Sequence, residues 1–358
     1  LIIELYNKRE LIKIAQNIFT NSKKLDYEKS SIDLIEDIES KLFDLSENRN
    51  LENNRLIPFS DSINLAMTTA NEAHKNKGKL SGISSGFLAL DNLLGGLHRS
   101  DLVILAGRPS MGKTALGTNI AFNCAIKYLE EKDEFQNKKI VDGGKVAFFS
   151  LEMSSEQLAT RILAEQTKIS GDKMRKAELN KEDFNKIAKT SSQLENLNLI
   201  IDDNPVLTIP TLRSRARRLK RLHDINLIII DYLQLMSSSS NSRNDGRVQE
   251  ISEITRGLKA IAKELNIPVI ALSQLSRQVE QREDKRPHLS DLRESGTIEQ
   301  DSDVVMFIFR ESYYLERQEP IKRPEDTDDK YNEKHQRWRD LCKRRYTQTR
   351  TWPNGIHP

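Results

Sequence analysis

Residues 102–122, "LVILAGRPSMGKTALGTNIAF", run from an apolar stretch through a glycine-bearing loop into a segment of small and apolar residues. Within them, residues 107–114, "GRPSMGKT", match the pattern G-x-x-x-x-G-K-[ST] at every specified position. This pattern requires a strand before the loop and a helix after it, and the flanking residues favour both. The alternative is a glycine-rich turn that matches the pattern by chance. Such a turn would not need a strand before it and a helix after it.

The residue types of this loop suit phosphate binding. Gly107 and Gly112 allow the backbone to curl until successive N–H groups face phosphate oxygens, and the positive end of the following helix favours the same ligand. Lys113 is expected to reach the β- and γ-phosphates, and the Thr114 hydroxyl is expected to coordinate Mg²⁺. The sequence therefore predicts a nucleoside triphosphate site. Its predicted residues are Gly107, Arg108, Pro109, Ser110, Met111, Gly112, Lys113, Thr114 and Ala115.

Around the loop, short apolar runs alternate with amphipathic segments. The runs are typical of parallel strands buried on both faces: "LVILAG" (102–107), "VAFFSLE" (146–152), "LNLIIDD" (197–203), "LIIIDY" (227–232), "IPVIALSQ" (267–274) and "DVVMFIF" (303–309). The segments predict helices over 115–129, 154–167, 208–223 and 247–265. This alternation predicts an α/β fold with a mainly parallel, doubly wound sheet. Residues 129–145 are predicted to form a charged surface loop, and residues 236–247 a mobile loop.

Three polar residues end predicted strands. Asp231 follows "LIII", Glu152 ends "VAFFSLE" and Gln274 ends "VIALSQ", so all three are expected at the carboxyl edge of the sheet, where ligands bind. Asp231 is the expected second metal-side acid, and Glu152 is expected to orient the attacking water. The alternative role of Glu152 is that of an acid at the N-terminus of the next helix. Gln274 is expected to respond to the γ-phosphate and to pass that response to the following loop.

The connection after Gln274, residues 275–303, is far longer than an ordinary link between two buried strands. Its basic residues suggest a surface that meets a phosphate backbone: Arg277, Arg282, Lys285, Arg286 and Arg293. Acids are interspersed among them: Glu280, Glu283, Asp284, Asp291 and Glu294. Charge alone therefore leaves a solvated surface loop open as the alternative.

The composition narrows the class of protein. With 358 residues, 37% hydrophobic and 30% charged, the chain is expected to be soluble, and its net charge of +3 means that a nucleic-acid surface must come from local clustering. Cys124 and Cys342 match neither metal-site spacing nor a disulfide framework, which suits the cytoplasm. No apolar run reaches the roughly 18 residues of a membrane helix, and no signal peptide is recognisable. The chain begins at Leu1 and not at Met, as a fragment would.

Six stretches taken together resemble the replicative DNA helicases of the bacterial DnaB family, in order from about residue 80 to 315. They are "GFLALDNLLGGL", "GRPSMGKT", "FFSLEMSSEQLATRIL", "IIIDYLQLM", "EISEITRGLKAIAKELNIPVIALSQLSR" and "RPHLSDLRESGTIEQDSDVVMFIFRESYY". The resemblance implies a RecA-like ATPase core that assembles as a homohexameric ring around single-stranded DNA. It also implies ATP and Mg²⁺ as cofactors, forked duplex DNA as substrate, primase and a helicase loader as partners, and no membrane association.

Roles follow from the resemblance at the matching positions. Lys113 and Thr114 would bind the phosphates and Mg²⁺, Glu152 would be the catalytic base and Asp231 the second metal-side acid. Arg161 would approach the γ-phosphate, and Gln274 would sense it. In the central DNA-binding loop of the family, backbone amides and one arginine hold the sugar-phosphate chain. The residues of this chain that fall there are Arg293, Glu294 and Gly296. Contacts of this kind suit an enzyme that moves along any sequence.

The resemblance also divides the chain and exposes departures from the family. Residues 1–50 would be the end of the N-terminal helical hairpin, 51–80 a linker with a helix, 81–340 the RecA-like domain and 341–358 an atypical tail. Family members end with a strand and a Lys-x-Arg-Asn-Gly-Pro stretch that supplies an arginine finger, whereas this chain ends "LCKRRYTQTRTWPNGIHP", as a frame shift would leave it. Lys343, Arg344 and Arg345 are weak candidate substitutes for that finger.

Two other functions stay open at this point. One is another RecA-like, DNA-dependent ATPase, of the recombinase or switch type, which would not unwind duplex DNA. The other is a truncated helicase copy with impaired activity. The stretch "RESGTIEQDSD" favours the helicase.

Overall fold

The computed structural model describes residues 2–23, 38, 41, 58–64, 67, 80–132, 138–236, 247–317 and 332–339. Three predicted features lie wholly or largely outside these residues: the linker over 51–80, the loop over 236–247 and the tail over 341–358. Of the helical hairpin predicted over 1–50, only residues 2–23, 38 and 41 are described. The chain forms two compact units. One consists of Leu1–Lys79 with Pro210–Arg218, and the other of Leu80–Ile209 with Leu219–Pro358.

The secondary structure follows the predicted alternation. The helices are α1 (Ile2–Lys23), α2 (Leu88–Leu94), α3 (Lys113–Ile126), α4 (Ser155–Thr167), α5 (Gly171–Arg175), α6 (Lys181–Leu194), α7 (Ile209–His223), α8 (Arg247–Leu265), α9 (Gly296–Asp301) and α10 (Glu311–Glu316). The strands are β1 (Leu102–Gly107), β2 (Leu129–Lys132), β3 (Lys138–Asp142), β4 (Val146–Ser150), β5 (Leu199–Asp202), β6 (Leu227–Asp231), β7 (Val269–Gln274) and β8 (Val304–Ile308). Short 3₁₀ helices span Leu233–Leu235, Arg277–Gln281 and Leu289–Ser295. Residues 59–64 and 332–339 are also helical.

The central sheet has six strands in the order β5-β4-β6-β7-β1-β8, and every neighbouring pair in it is parallel. Gly107, at the end of β1, stands opposite Gln274 of β7 on one side and Ile308 of β8 on the other. The predicted α/β class with a mainly parallel sheet is confirmed. The carboxyl ends of β4, β6, β7 and β1 therefore lie along one edge of the sheet, as the site requires.

Both faces of this sheet are buried, which explains its nearly continuous apolar strands. Alternate residues of β1, such as Val103 and Leu105, belong to a core that includes Ile120 and Ala121 of α3. The residues between them point to the opposite face, where Ile104 is fully buried. Helix α8 packs against β1 and β7, and it buries Ile254 and Leu258. No helix among the described residues combines the length and apolar character that crossing a membrane requires.

The prediction of a surface loop over 129–145 is wrong. Strands β2 and β3 pair there in antiparallel fashion and form a two-stranded sheet separate from the central one. Their sequences, "LEEK" and "KKIVD", are rich in charge, so the search for apolar runs overlooked them. A two-stranded ribbon does not need two apolar faces, because most of its surface faces solvent.

Candidate nucleotide site

The predicted phosphate loop, residues 107–114, joins the end of β1 to the start of α3, so the strand before it and the helix after it are confirmed. Gly112 is the residue before α3 and has φ of 100°, a left-handed conformation that suits glycine. Gly107 is constrained differently, because a Cβ there would lie 3.3 Å from the carbonyl oxygen of Ile308. Glycine is thus favoured at the two positions for different reasons, at Gly112 by the backbone angle and at Gly107 by the close approach of β8.

Lys113 lies inside the curve of the loop. Its Nζ donates to the carbonyl oxygens of Gly107 at 2.9 Å and Arg108 at 3.2 Å. Burial lowers the pKa of the Lys113 ammonium, and the nearby carboxylates of Asp231 and Glu152 oppose that shift. The ammonium is therefore held where the loop and the two acids meet, which suits a ligand that carries several negative charges.

Asp231 ends β6 and is almost wholly buried, with 1% of its surface exposed. Burial raises the pKa of its carboxyl, and the charge of Glu152 adds to that rise. The neighbouring Thr114 hydroxyl lowers the pKa, as do the cations Lys113 and Arg161. Neither carboxylate oxygen has a partner of hydrogen-bonding geometry among the described residues. Buried carboxylate oxygens normally have partners.

These features fit a Mg²⁺ ion that would be held by Asp231 and Thr114 when a triphosphate is bound. Mg²⁺ prefers oxygen ligands and is usually held by one or two protein groups together with substrate phosphates and water. A buried carboxylate beside the Thr114 hydroxyl, with no hydrogen-bond partner in the described part of the chain, is a donor set of that kind.

Glu152 lies two residues beyond β4, in the turn before α4, and its side chain is exposed. The N-terminus of α4 is capped by Ser154, whose Oγ accepts from Gln157 N–H at 3.3 Å, while Gln157 Oε1 accepts from Ser154 N–H at 3.2 Å. Because this capping box already satisfies the helix end, Glu152 is not needed as a cap. Its charge instead raises the pKa of Asp231 and Tyr232, which places its carboxylate at the same edge.

Arg161, in the middle of α4, lies near the same edge. Its charge lowers the pKa of Asp231. Its Nη1 is buried and has no hydrogen-bond partner among the described residues. A buried guanidinium nitrogen with no acceptor among the described residues suits an anionic ligand, because a phosphate oxygen would supply that acceptor.

The structure brings Lys113, Thr114, Asp231, Glu152 and Arg161 together at one edge, and Gln274 lies on the strand between β6 and β1. Sequence reasoning missed Gln234, in the 3₁₀ helix after β6, whose side-chain amide pairs with the backbone of Gln274. Neither the spacing nor the polarity of Gln234 distinguishes it from other polar residues that follow a strand.

Sequence reasoning also missed what the Arg108 side chain does. The guanidinium of Arg108 donates to the Leu275 carbonyl oxygen at 2.9 Å and pairs with Glu280 at 2.9 Å. The phosphate loop is therefore joined directly to the segment that follows β7. This leaves the backbone N–H of Arg108, and not its side chain, for the predicted phosphate cradle.

Residues 275–303 are folded, and not an open loop. They contain two 3₁₀ helices and α9, and Arg282 pairs with the buried Asp291. Lys285 lies over the ring of Tyr314, with its Nζ 5.0 Å from the ring centroid. Of the basic residues predicted to meet a phosphate backbone, these two are therefore engaged within the protein. Arg293 and Glu294 lie in the second 3₁₀ helix, and Gly296 begins α9.

Comparison with known proteins identifies the family of this chain. Residues 82–352 match the model of the DnaB-like helicase C terminal domain. The replicative DNA helicase DnaB of Rickettsia conorii is 50% identical over 324 residues, which cover 89% of this chain and 63% of that protein. The chain thus spans a little under two thirds of the length of that relative.

Two solved structures resemble the fold. One, described as an ATPase domain, has a TM-score of 0.62 and 37% identity, and the match covers 72% of this chain and 86% of that one. The other, described as a DnaB-like replicative helicase and its interactions with primase, has a TM-score of 0.66 and 33% identity, over 90% of this chain and 69% of that one. Together with the family match over residues 82–352, they show that this chain belongs to the family of DnaB-like helicases.

Proposed function

We propose that the chain is a replicative DNA helicase, which couples ATP hydrolysis to translocation on single-stranded DNA and to unwinding of the duplex at a replication fork. The observation that supports this most is the buried carboxylate of Asp231, which lacks a protein partner among the described residues and lies beside Thr114 and Lys113. At the same edge, β7 leads into the folded segment 275–303. The family membership supports the same activity.

Each residue of the site has a proposed part in hydrolysis. Backbone N–H groups of residues 107–115, except Pro109, which has none, hold the phosphates. Lys113 leaves the two loop carbonyls to reach the β- and γ-phosphates. Thr114 and Asp231 would hold Mg²⁺, which would supply positive charge to offset the charge that develops on the phosphate oxygens. Glu152 orients the attacking water and accepts its proton. Arg161 stabilises the γ-phosphate charge through its unsatisfied nitrogen.

The coupling to DNA is proposed to pass through Gln274. Its strand lies between β6 and β1, so its side chain is at the edge where the γ-phosphate would end. The chain then continues into residues 275–303, which include Arg293, Glu294 and Gly296. We propose these three residues as the DNA contacts. Contacts to the sugar-phosphate backbone hold DNA of any sequence, as translocation requires.

The proposed partners follow from this function. We propose a homohexameric ring around single-stranded DNA, with a primase and a helicase loader as further partners and the cytoplasm as its location. The solved DnaB-like helicase of similar fold is described with its interactions with primase, which supports the proposal of a primase partner.

Three measurements on the full chain test the proposal: ATPase rate with and without single-stranded DNA, unwinding of a forked duplex, and mass in solution with ATP and Mg²⁺. We expect DNA-stimulated hydrolysis, unwinding and a hexamer. DNA-stimulated hydrolysis without unwinding, in an assembled protein, would instead indicate another RecA-like ATPase. Nucleotide binding by a chain that stays monomeric would indicate an impaired helicase copy.

The variant Arg293→Ala tests the proposed DNA contact. We expect weaker binding to single-stranded DNA, nearly the same for every base sequence, and a salt dependence that is flatter by about one ion. The reason is that an arginine on a phosphate releases one condensed counterion, whichever base is attached. Binding titrations of labelled homopolymeric oligonucleotides at several salt concentrations measure both effects.

A matched control for this variant is Arg99→Ala. Arg99 is exposed and precedes β1, at the opposite edge of the sheet from the nucleotide site. We expect its loss to leave the affinity and the salt slope unchanged. If Arg293→Ala is folded and assembled and behaves like this control, then residues 275–303 are a charged surface segment and not a DNA contact.

A further inference from the structure

The end of β7 is held by a side chain that follows the neighbouring strand. Pairing between β6 and β7 ends at Ile230 and Ala271, and the chain beyond β6 then turns into the 3₁₀ helix Leu233–Leu235. From that helix, Gln234 Nε2 donates to Ser273 Oγ at 3.0 Å and to the Gln274 carbonyl oxygen at 3.1 Å. Gln234 Oε1 accepts from Gln274 N–H at 3.1 Å. One amide side chain thus supplies the donor and the acceptor that a further strand residue would supply.

The same backbone is held from its other side by the phosphate loop. Arg108 Nη1 donates to the Leu275 carbonyl oxygen at 2.9 Å, and Arg108 Nε donates to Glu280 Oε1 at 3.0 Å. Arg108 is 7% exposed, so water competes little for these bonds. Residues 273–275 are therefore fixed between the chain that follows Asp231 and the loop that contains Lys113.

We infer that Gln234 is a positioning residue that couples the nucleotide site to the segment 275–303. The inference rests on the proposed function, in which Gln274 responds to the γ-phosphate. Because Gln234 fixes both the N–H and the C=O of Gln274, a change at the Gln274 side chain cannot be absorbed by fraying of the strand end. It is passed instead to Leu275 and to the residues that follow. Without the Gln234 amide, the end of β7 loses its hydrogen bonds to the chain that follows β6. It keeps the hydrogen bond that Arg108 donates to the Leu275 carbonyl oxygen.

Two variants of the full chain test this role: Gln234→Ala removes the amide, and Gln234→Glu keeps its size and acceptor but loses both donated bonds. The readout is the ratio of two dissociation constants for a labelled oligo-dT, one measured with ATPγS and Mg²⁺ and the other with ADP and Mg²⁺. By linkage, this ratio reports how strongly the two sites are coupled. In both variants we expect this ratio to change by about 2- to 30-fold, in the direction of one. That is the range for residues that carry coupling.

A control and a stability measurement separate coupling from a purely structural role. Gln278→Ala removes an exposed glutamine from the same segment and should keep the wild-type ratio. A lower melting temperature alone would indicate that Gln234 only stabilises the sheet. The inference is overturned by a wild-type ratio in folded Gln234→Ala, by a shift of both constants by the same factor, or by two variants that do not fold.

The same ratio, measured for the wild-type protein, shows whether only the role of Gln234 is wrong or the proposed function as well. A wild-type ratio of one means that nucleotide and DNA sites are not coupled, and the proposed function and the inference then fail together. A wild-type ratio well away from one that persists in both variants overturns only the role of Gln234.

Discussion

Replacing Glu152 by Gln is expected to slow ATP hydrolysis by about 10²- to 10⁴-fold while ATP stays bound, the usual range for loss of a positioned base. The amide keeps the size of the side chain but cannot accept the proton of the attacking water. The substitution also removes a negative charge that raises the pKa of Asp231, so it does not favour protonation of that carboxyl. Single-turnover hydrolysis and equilibrium binding of ATP measure the two properties separately.

Glu156→Gln is the matched control for this prediction. Glu156 is also exposed and lies in the first turn of α4, four residues beyond Glu152. If the acid at position 152 acted only through the N-terminus of this helix, the two variants would have similar small effects. Comparable hydrolysis rates in both variants, or loss of ATP binding in Glu152→Gln alone, would show that Glu152 is not a catalytic base.

The fold was largely predictable because its sheet is parallel and buried on both faces. Such strands have long apolar runs, and each of the six predicted runs overlaps a strand of the central sheet. Helix α8 was predicted at its observed bounds, since apolar residues at helical spacing cover its whole length. Helix α6 was missed, because it has no buried residue and its N-terminal cap, Asn180, is an ordinary surface signal. Strands β2 and β3 were missed because their residues are largely charged.

The site was predictable only where a residue type is tied to a strand end or to the loop pattern. Asp231, Glu152 and Gln274 follow apolar runs, and the parallel sheet brings such ends to one edge. The bond from Gln234 to Gln274 joins residues 40 positions apart, and the bond from Arg108 to Glu280 joins residues 172 apart. No local pattern encodes such contacts, because they depend on the strand order. The pairing of Arg282 with Asp291 shows the same limit, since the sequence grouped that arginine with the basic residues predicted to meet a phosphate backbone.

Replacing Lys113 by Ala is expected to remove most nucleotide binding and to reduce hydrolysis by at least about 10²- to 10³-fold, as loss of a preorganised donor to a developing charge does. The lysine is a cation of the phosphate loop whose ammonium interacts with both acids of the site. Without it, the Asp231 carboxylate loses a neighbour that lowers its pKa, and the phosphates would meet two acids with less positive charge to offset them. Both changes oppose the binding of an anion.

The fold should survive this substitution, because the lysine contributes two hydrogen bonds to loop carbonyls and is not part of the apolar core. A loss of about 1 to 2 kcal/mol in the free energy of unfolding is the expected limit. Lys173→Ala, at an exposed position of α5, serves as the control and should keep normal hydrolysis. Equilibrium binding of a fluorescent ATP analogue, steady-state hydrolysis and thermal unfolding together check the prediction. Normal ATPase activity in folded Lys113→Ala would show that residues 107–114 are not the phosphate loop of this protein, and the proposed roles of Thr114, Asp231 and Glu152 would lose their basis.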